Sequence, residues 1–199
     1  MPEIGPDVVL NRPAYIHPSA LLYGRVRIEE NASLWCNVVA RAENYEIVIG
    51  PYTNIQDFVM IHVGVATGSY IGAHCSITHH CTIHGCRIGD NCLIGINATI
   101  MDGAVIGDNC IVAGHTIVKE NSVIPANSIV MGAPGKVVRT VNSYVANKIN
   151  AYLYYRNALA YAAGHYREWD RPEFPAEIQA EMARLQAELD QGARAAGAD

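Results

Sequence analysis

Four of the eight histidines in this chain of 199 residues fall in two short stretches, NIQDFVMIH (Asn54 to His62) and ITHHCTIHGC (Ile77 to Cys86). Imidazole is the commonest metal ligand and the side chain that titrates nearest neutral pH. Three neutral imidazoles around a dication leave a fourth position open, and a water held there has its pKa brought down toward neutrality. Hydroxide at ordinary pH is the chemistry such a set would supply. Which histidines can meet depends on the element that carries them.

That element is announced by a period of six. Isoleucine, leucine or valine recurs from Ile88 through Ile94, Ile100, Ile106, Val112, Val118 and Ile124 to Val130. The same beat occurs earlier as Ile16, Leu22, Ile28 and Leu34, then as Ile49, Ile55 and Ile61, then as Ile71, Ile77 and Ile83. A small residue follows four positions later, as in Ala98, Ala104 and Cys110. Helices repeat at 3.6 residues and strands at 2. A hexapeptide beat is instead the signature of a parallel β-helix, a triangular prism with three hexapeptides per turn. The aliphatic residue fills the interior, and the small one fits where the chain turns a corner.

The beat is broken between Ala40 and Ile49, between Ile61 and Ile71, and between Ile83 and Ile88. If each long break is one hexapeptide plus an insertion, Ala40, Ile61 and Ile83 open the same face on successive turns. Arg41, His62 and His84 then form a column with neighbours ~4.8 Å apart, so two stacked imidazoles can converge on one ion. His79 lies on the preceding face, with Asp57 one turn away in its own column. It cannot easily swing round the prism edge to join the other two within one chain. A neighbouring subunit could present it, and sites shared between faces in this way require a closed three-fold ring. His17 and His165 lie outside the central turns, and His74 and His115 are expected at ordinary outward positions.

RAE at 41–43, NIQD at 54–57, His62, His79 and HGC at 84–86 resemble the γ-class carbonic anhydrase family over roughly residues 14–140. The five-residue interval from His79 to His84 matches that family's ligand pair. The resemblance implies a left-handed parallel β-helix, a homotrimer, and zinc or iron between subunits. The ligands it implies are His62 and His84 of one chain and His79 of the next, with His80 not a ligand. It further implies reversible hydration of carbon dioxide by a metal-bound hydroxide that Gln56 orients, and an Arg41–Asp57 pair across the subunit boundary. Two departures stand out. Arg41-Ala42-Glu43 replaces the family's Arg-Gly-Asp, which adds a methylene to the acidic side chain. The loop after His62, VGVATGSY, has no carboxylate to carry protons out, which leaves Glu43 and His80 as carriers. Competing readings are an acyl-CoA thioesterase using the same metal, a hexapeptide acyltransferase using one histidine as general base, and a non-catalytic trimeric scaffold.

The remaining properties set the frame. Half of the residues are hydrophobic, yet only two Phe and two Trp occur, so the core must be stacked aliphatic layers. The net charge of −5 without a basic cluster argues against nucleic acid and anionic membrane as partners. The N-terminus lacks a cationic start and an apolar h-region, so a cytoplasmic protein with a small-molecule substrate is expected. Six cysteines without a CxxC pair read as reduced packing residues. The expected organisation is a lead-in over 1–13, a mainly β solenoid over 14–136 closed by Gly132-Ala133-Pro134-Gly135, C-terminal α-helices over 137–192, and a frayed tail over 193–199. Pro134 is expected to stop further strand pairing, and the helices to cover an end or flank of the prism.

Overall fold

The period of six builds a prism of seven coils in the computed structural model, which describes residues 2–196. Along one face the strands Tyr15–Ile16, Ser33–Leu34, Asn54–Ile55, Ser76–Ile77, Leu93–Ile94, Ile111–Val112 and Ser128–Met131 pair in parallel, each with the next coil. The other two faces form one continuous sheet, because the strands Leu21–Ile28 and Val39–Ile49 run round the corner between them. The register joins Leu22 to Ala40, Ala40 to Ile61, Ile61 to Ile83 and Ile83 to Ile100. Every aliphatic residue of the beat thus meets its counterpart one coil away. Ile55, Ile61, Ile77, Ile83, Ile94 and Ile100 are fully buried.

The corners explain residues that the beat does not. Twelve of the thirteen non-glycine residues with positive φ fall in two vertical columns, one running from Arg12 through Asn31, Tyr52, His74, Asn91 and Asn109 to Asn127, the other from Asn37 through Phe58, His80 and Asn97 to His115. Asparagine is the side chain that best tolerates left-handed backbone after glycine. His74, His80 and His115 occupy the same slot, with φ of 56°, 60° and 58°. His74 and His115, expected at ordinary outward positions, stand at the corners, His115 exposed and His74 half-buried. All six cysteines are free, and five of them are buried. Burial pushes the Cys81 thiol up to about 11 and that of Cys86 up to about 12, which keeps them inert fillers.

The ends of the solenoid depart from expectation. The lead-in is part of the solenoid, because Glu3–Ile4 and Val9–Leu10 pair in parallel with Leu21–Ile28. At the other end Pro134 does not stop strand pairing. The Gly132–Gly135 turn reverses the chain, and Lys136–Thr140 pairs antiparallel with Ser128–Met131. The last coil would otherwise offer a row of unpaired backbone groups at its edge, and this strand covers it. Helix α1 (Tyr144–Ala162) therefore starts later than a helix opening at 137, and α2 (Phe174–Ala196) continues into the segment expected to fray. The alanines and arginine there are strong helix formers; residues 197–199 lie outside the described residues. No helix among the described residues is long and apolar enough to cross a membrane.

Helix α1 lies along the flank of the prism, against the strands at Tyr15–Ile16, Ser33–Leu34, Asn54–Ile55 and Ser76–Ile77. Trp35 is its anchor, with ring centroids 5.5 Å from Tyr15, 5.7 Å from Tyr154 and 4.9 Å from Tyr161. Asn147 of α1 donates to the backbone carbonyls of Asn91 and Cys110, which ties the helix to the corner column. The aliphatic stack should dominate stability. Ile94→Ala, at a fully buried site, should cost about 2–5 kcal/mol in urea unfolding. Val123→Ala, at a position 73% exposed, should stay within about 0.5 kcal/mol. Equal effects would place the core elsewhere.

Candidate metal centre

All three breaks in the beat fall at the same corner of the prism, just beyond the strand positions of Arg41, His62 and His84. The register sets these three side by side, Arg41 opposite His62 and His62 opposite His84. At the first break, Arg25 stands opposite an outward bulge formed by Glu43, Asn44, Tyr45 and Glu46. At the second, the segment from Val63 to Gly68 leaves the sheet and returns at Ser69. The Ser69 hydroxyl closes this excursion by donating to the His62 carbonyl at 2.6 Å and accepting from the Gly85 amide at 2.9 Å. The histidine column is thus braced from behind by the loop that interrupts the repeat.

The two imidazoles face each other with centroids 5.0 Å apart, and Nδ1 of His62 lies 3.0 Å from Nε2 of His84. Each ring has a carboxylate on its far side. Asp102 Oδ1 is 2.5 Å from His84 Nδ1, and Glu43 Oε2 is 3.0 Å from His62 Nε2. A carboxylate accepts the N–H of its ring, which leaves lone pairs on the two nitrogens that face each other. A proton or a metal ion must then sit between them. Two nitrogens bound to one tetrahedral ion at ~2.0–2.1 Å stand ~3.3 Å apart, close to the separation seen. The donor set fits a dication.

His79 stands on the adjacent face, half-exposed, with Nδ1 3.0 Å from Asp57 Oδ2. A proton on Nδ1 puts its lone pair on Nε2. Among the described residues, no group of three or more His, Cys, Asp and Glu side chains comes together within one chain to hold a metal. His79 thus remains apart from His62 and His84. Arg41 pairs with Glu43 inside the chain and not with Asp57. Burial tends to raise the Glu43 carboxyl, but hydrogen bonds from its own backbone and His62, with the Arg41 guanidinium, hold it below the usual range. Gln56 is buried beside Asp57, and its amide nitrogen donates to Asn54 Oδ1 at 2.9 Å. Tyr154 of α1 is pushed up to about 12 by burial and then by the Asp57 carboxylate. His80 stacks on Phe58 at 4.9 Å at its corner.

Asp102 and Ser69 escaped the sequence reading. Asp102 follows Ile100 by two residues, and Ile100 is the partner of Ile83 one coil on. Extending the column count by one turn reaches Met101 and stops one residue short of it. Ser69 carries no comparable signal, because it lies in the insertion, where the beat gives no register.

Residues 85–120 match the family described as Bacterial transferase hexapeptide (six repeats). A protein of Methanocaldococcus jannaschii named "Probable carbonic anhydrase" is 46% identical over 153 residues, covering 77% of this chain and 93% of its own. Gamma carbonic anhydrase 2 of Arabidopsis thaliana mitochondria is 32% identical over 47% of this chain and 36% of its own. Among solved structures, a hexapeptide transferase family protein from Anaplasma phagocytophilum superposes with a TM-score of 0.66 at 26% identity, covering 82% of this chain and 92% of that one. With the histidine column and the prism that carries it, this relatedness shows that the chain belongs to the γ-class carbonic anhydrase family of hexapeptide-repeat β-helices.

Proposed function

We propose that this protein catalyses the reversible, metal-dependent hydration of carbon dioxide to bicarbonate. In this reading it works as a homotrimer that binds zinc or iron through His62 and His84 of one protomer and His79 of the next. The observation that carries the reading is the pair of facing imidazole nitrogens, 3.0 Å apart and each backed by a carboxylate. When bound, the dication supplies the Lewis acidity that brings a water's pKa toward neutrality. The rest falls to the chain. Glu43 and Asp102 hold the two rings, and Asp57 holds the His79 ring, so that the lone pairs needed for binding are the ones presented. Gln56 has its amide nitrogen committed to Asn54, so its carbonyl oxygen is the end that accepts a hydrogen bond from the attacking water and orients it. Arg41 and Asp57 are both partly exposed on adjoining faces and pair across the subunit boundary.

A second reading draws on the likeness to hexapeptide transferases. Acyl transfer needs one histidine as a base and a thioester donor, and has no use for paired imidazoles. Sedimentation and metal analysis test the proposal first. A trimer with one ion per chain is expected, and a monomer holding a tightly bound ion would overturn the shared site. Stopped-flow hydration by the metal-loaded protein is expected in the same preparation. A loaded trimer that leaves carbon dioxide untouched but cleaves or transfers acyl groups from acyl-CoA would replace hydration with the thioester reading.

A further inference from the structure

We infer that Asp102 is the positioning residue that readies His84 for its ion, and that Gly64 and Gly85 are glycine in order to seat it; this rests on the metal reading above. Asp102 belongs to the coil beyond His84, two residues after Ile100, and reaches back to the ring at 2.5 Å. The path of its carboxylate is open only because two neighbours lack a side chain. A Cβ built on Gly85 would stand 2.4 Å from Asp102 Oδ1, and one on Gly64 would stand 2.7 Å from the same oxygen. Both distances are far inside van der Waals contact. Gly85 directly follows His84 and has φ of +55°, and its backbone also lies against Gly64. Two coils thus leave a hollow at one spot, and the single oxygen that fills it faces the histidine. An oxygen taking Nδ1–H fixes both the tautomer and the rotation of the ring, which leaves Nε2 as the ligating nitrogen facing His62.

The test has two readouts. In the metal-free protein, nitrogen NMR across a pH series reports which His84 nitrogen carries the proton. Nδ1–H is expected in the parent chain, and Asp102→Ala should lose that preference. Chelator competition should show Asp102→Ala binding zinc about 10–100-fold more weakly. Asp102→Asn keeps an acceptor oxygen and should recover the tautomer and most of the affinity. Gly85→Ala, with the aspartate intact, should shift both readouts in the direction of Asp102→Ala, and this variant with the asparagine one carries the test if the alanine chain fails to fold. An unchanged His84 tautomer in folded Asp102→Ala or Gly85→Ala would overturn the inference. If the parent chain takes up no metal at all, the functional reading fails, while the tautomer measurement still decides the role of Asp102.

Discussion

His79→Ala should strip the metal from the protein as completely as His62→Ala or His84→Ala, and hydration should fall by more than about 100-fold, beyond the usual cost of losing an orienting partner. His80→Ala and His115→Ala should leave the metal in place. The reason is topological. His79 is on a different face from the other two, and among the described residues no three-ligand cage forms within one chain. Mixing variants makes this decisive. A His79→Ala chain still offers His62 and His84, and a His84→Ala chain still offers His79. Each alone is empty. When the two are refolded together in equal amounts, random assembly into rings should restore about a quarter of the sites, because each interface takes its ligands from two chains. Metal content and activity should both recover to that level. A mixture that stays empty would mean that each chain must supply its own ligands. Full occupancy of the His79 variant would show that the ion does not use that ring.

The column that organises this experiment was legible before any coordinates, because side-chain direction in a β-helix follows from counting. Arg41, His62 and His84 each follow an aliphatic residue of the beat by one position, and the register aligns those aliphatic residues coil on coil. The corner histidines were not legible as such. Counting gives a residue's place in the hexapeptide but not its backbone conformation, and the left-handed slot shows only when the asparagines of neighbouring coils are read as a column. The terminal elements escaped for another reason. Glu3–Ile4, Val9–Leu10 and Lys136–Thr140 are strands because the solenoid offers them an edge to pair with, which is a tertiary cause and leaves no period in a two- to five-residue segment. The excursion at Val63–Gly68 was recognised as a break, but its closure by Ser69 depends on where the inserted residues return.

That excursion sets the second large effect. Hydration with the metal-loaded protein should speed up as a small buffer such as imidazole is added, and the rise should saturate once another step limits turnover. Each turnover releases a proton that must leave the site, and the segment from Val63 to Tyr70 holds no carboxylate or histidine. Glu43 is the carboxylate beside His62, at 3.0 Å. Its Arg41 and His62 partners hold it below the usual range, so it stays ionised at pH 7 and returns few protons to solvent as a carrier. His80 is stacked on Phe58 at the opposite edge of the histidine face. The loop tip, by contrast, is well placed: Val65 is 90% exposed, and its carbonyl accepts from the Asn44 amide in the bulge that holds Glu43. Val65→Glu should therefore raise the rate at low buffer and reduce the buffer dependence several-fold, with little change in the exchange between carbon dioxide and bicarbonate measured at equilibrium. A fast rate that ignores buffer in the parent chain would show that Glu43, His80 or a water chain already carries the proton out. A Val65→Glu chain as buffer-dependent as its parent would place the exit away from this loop.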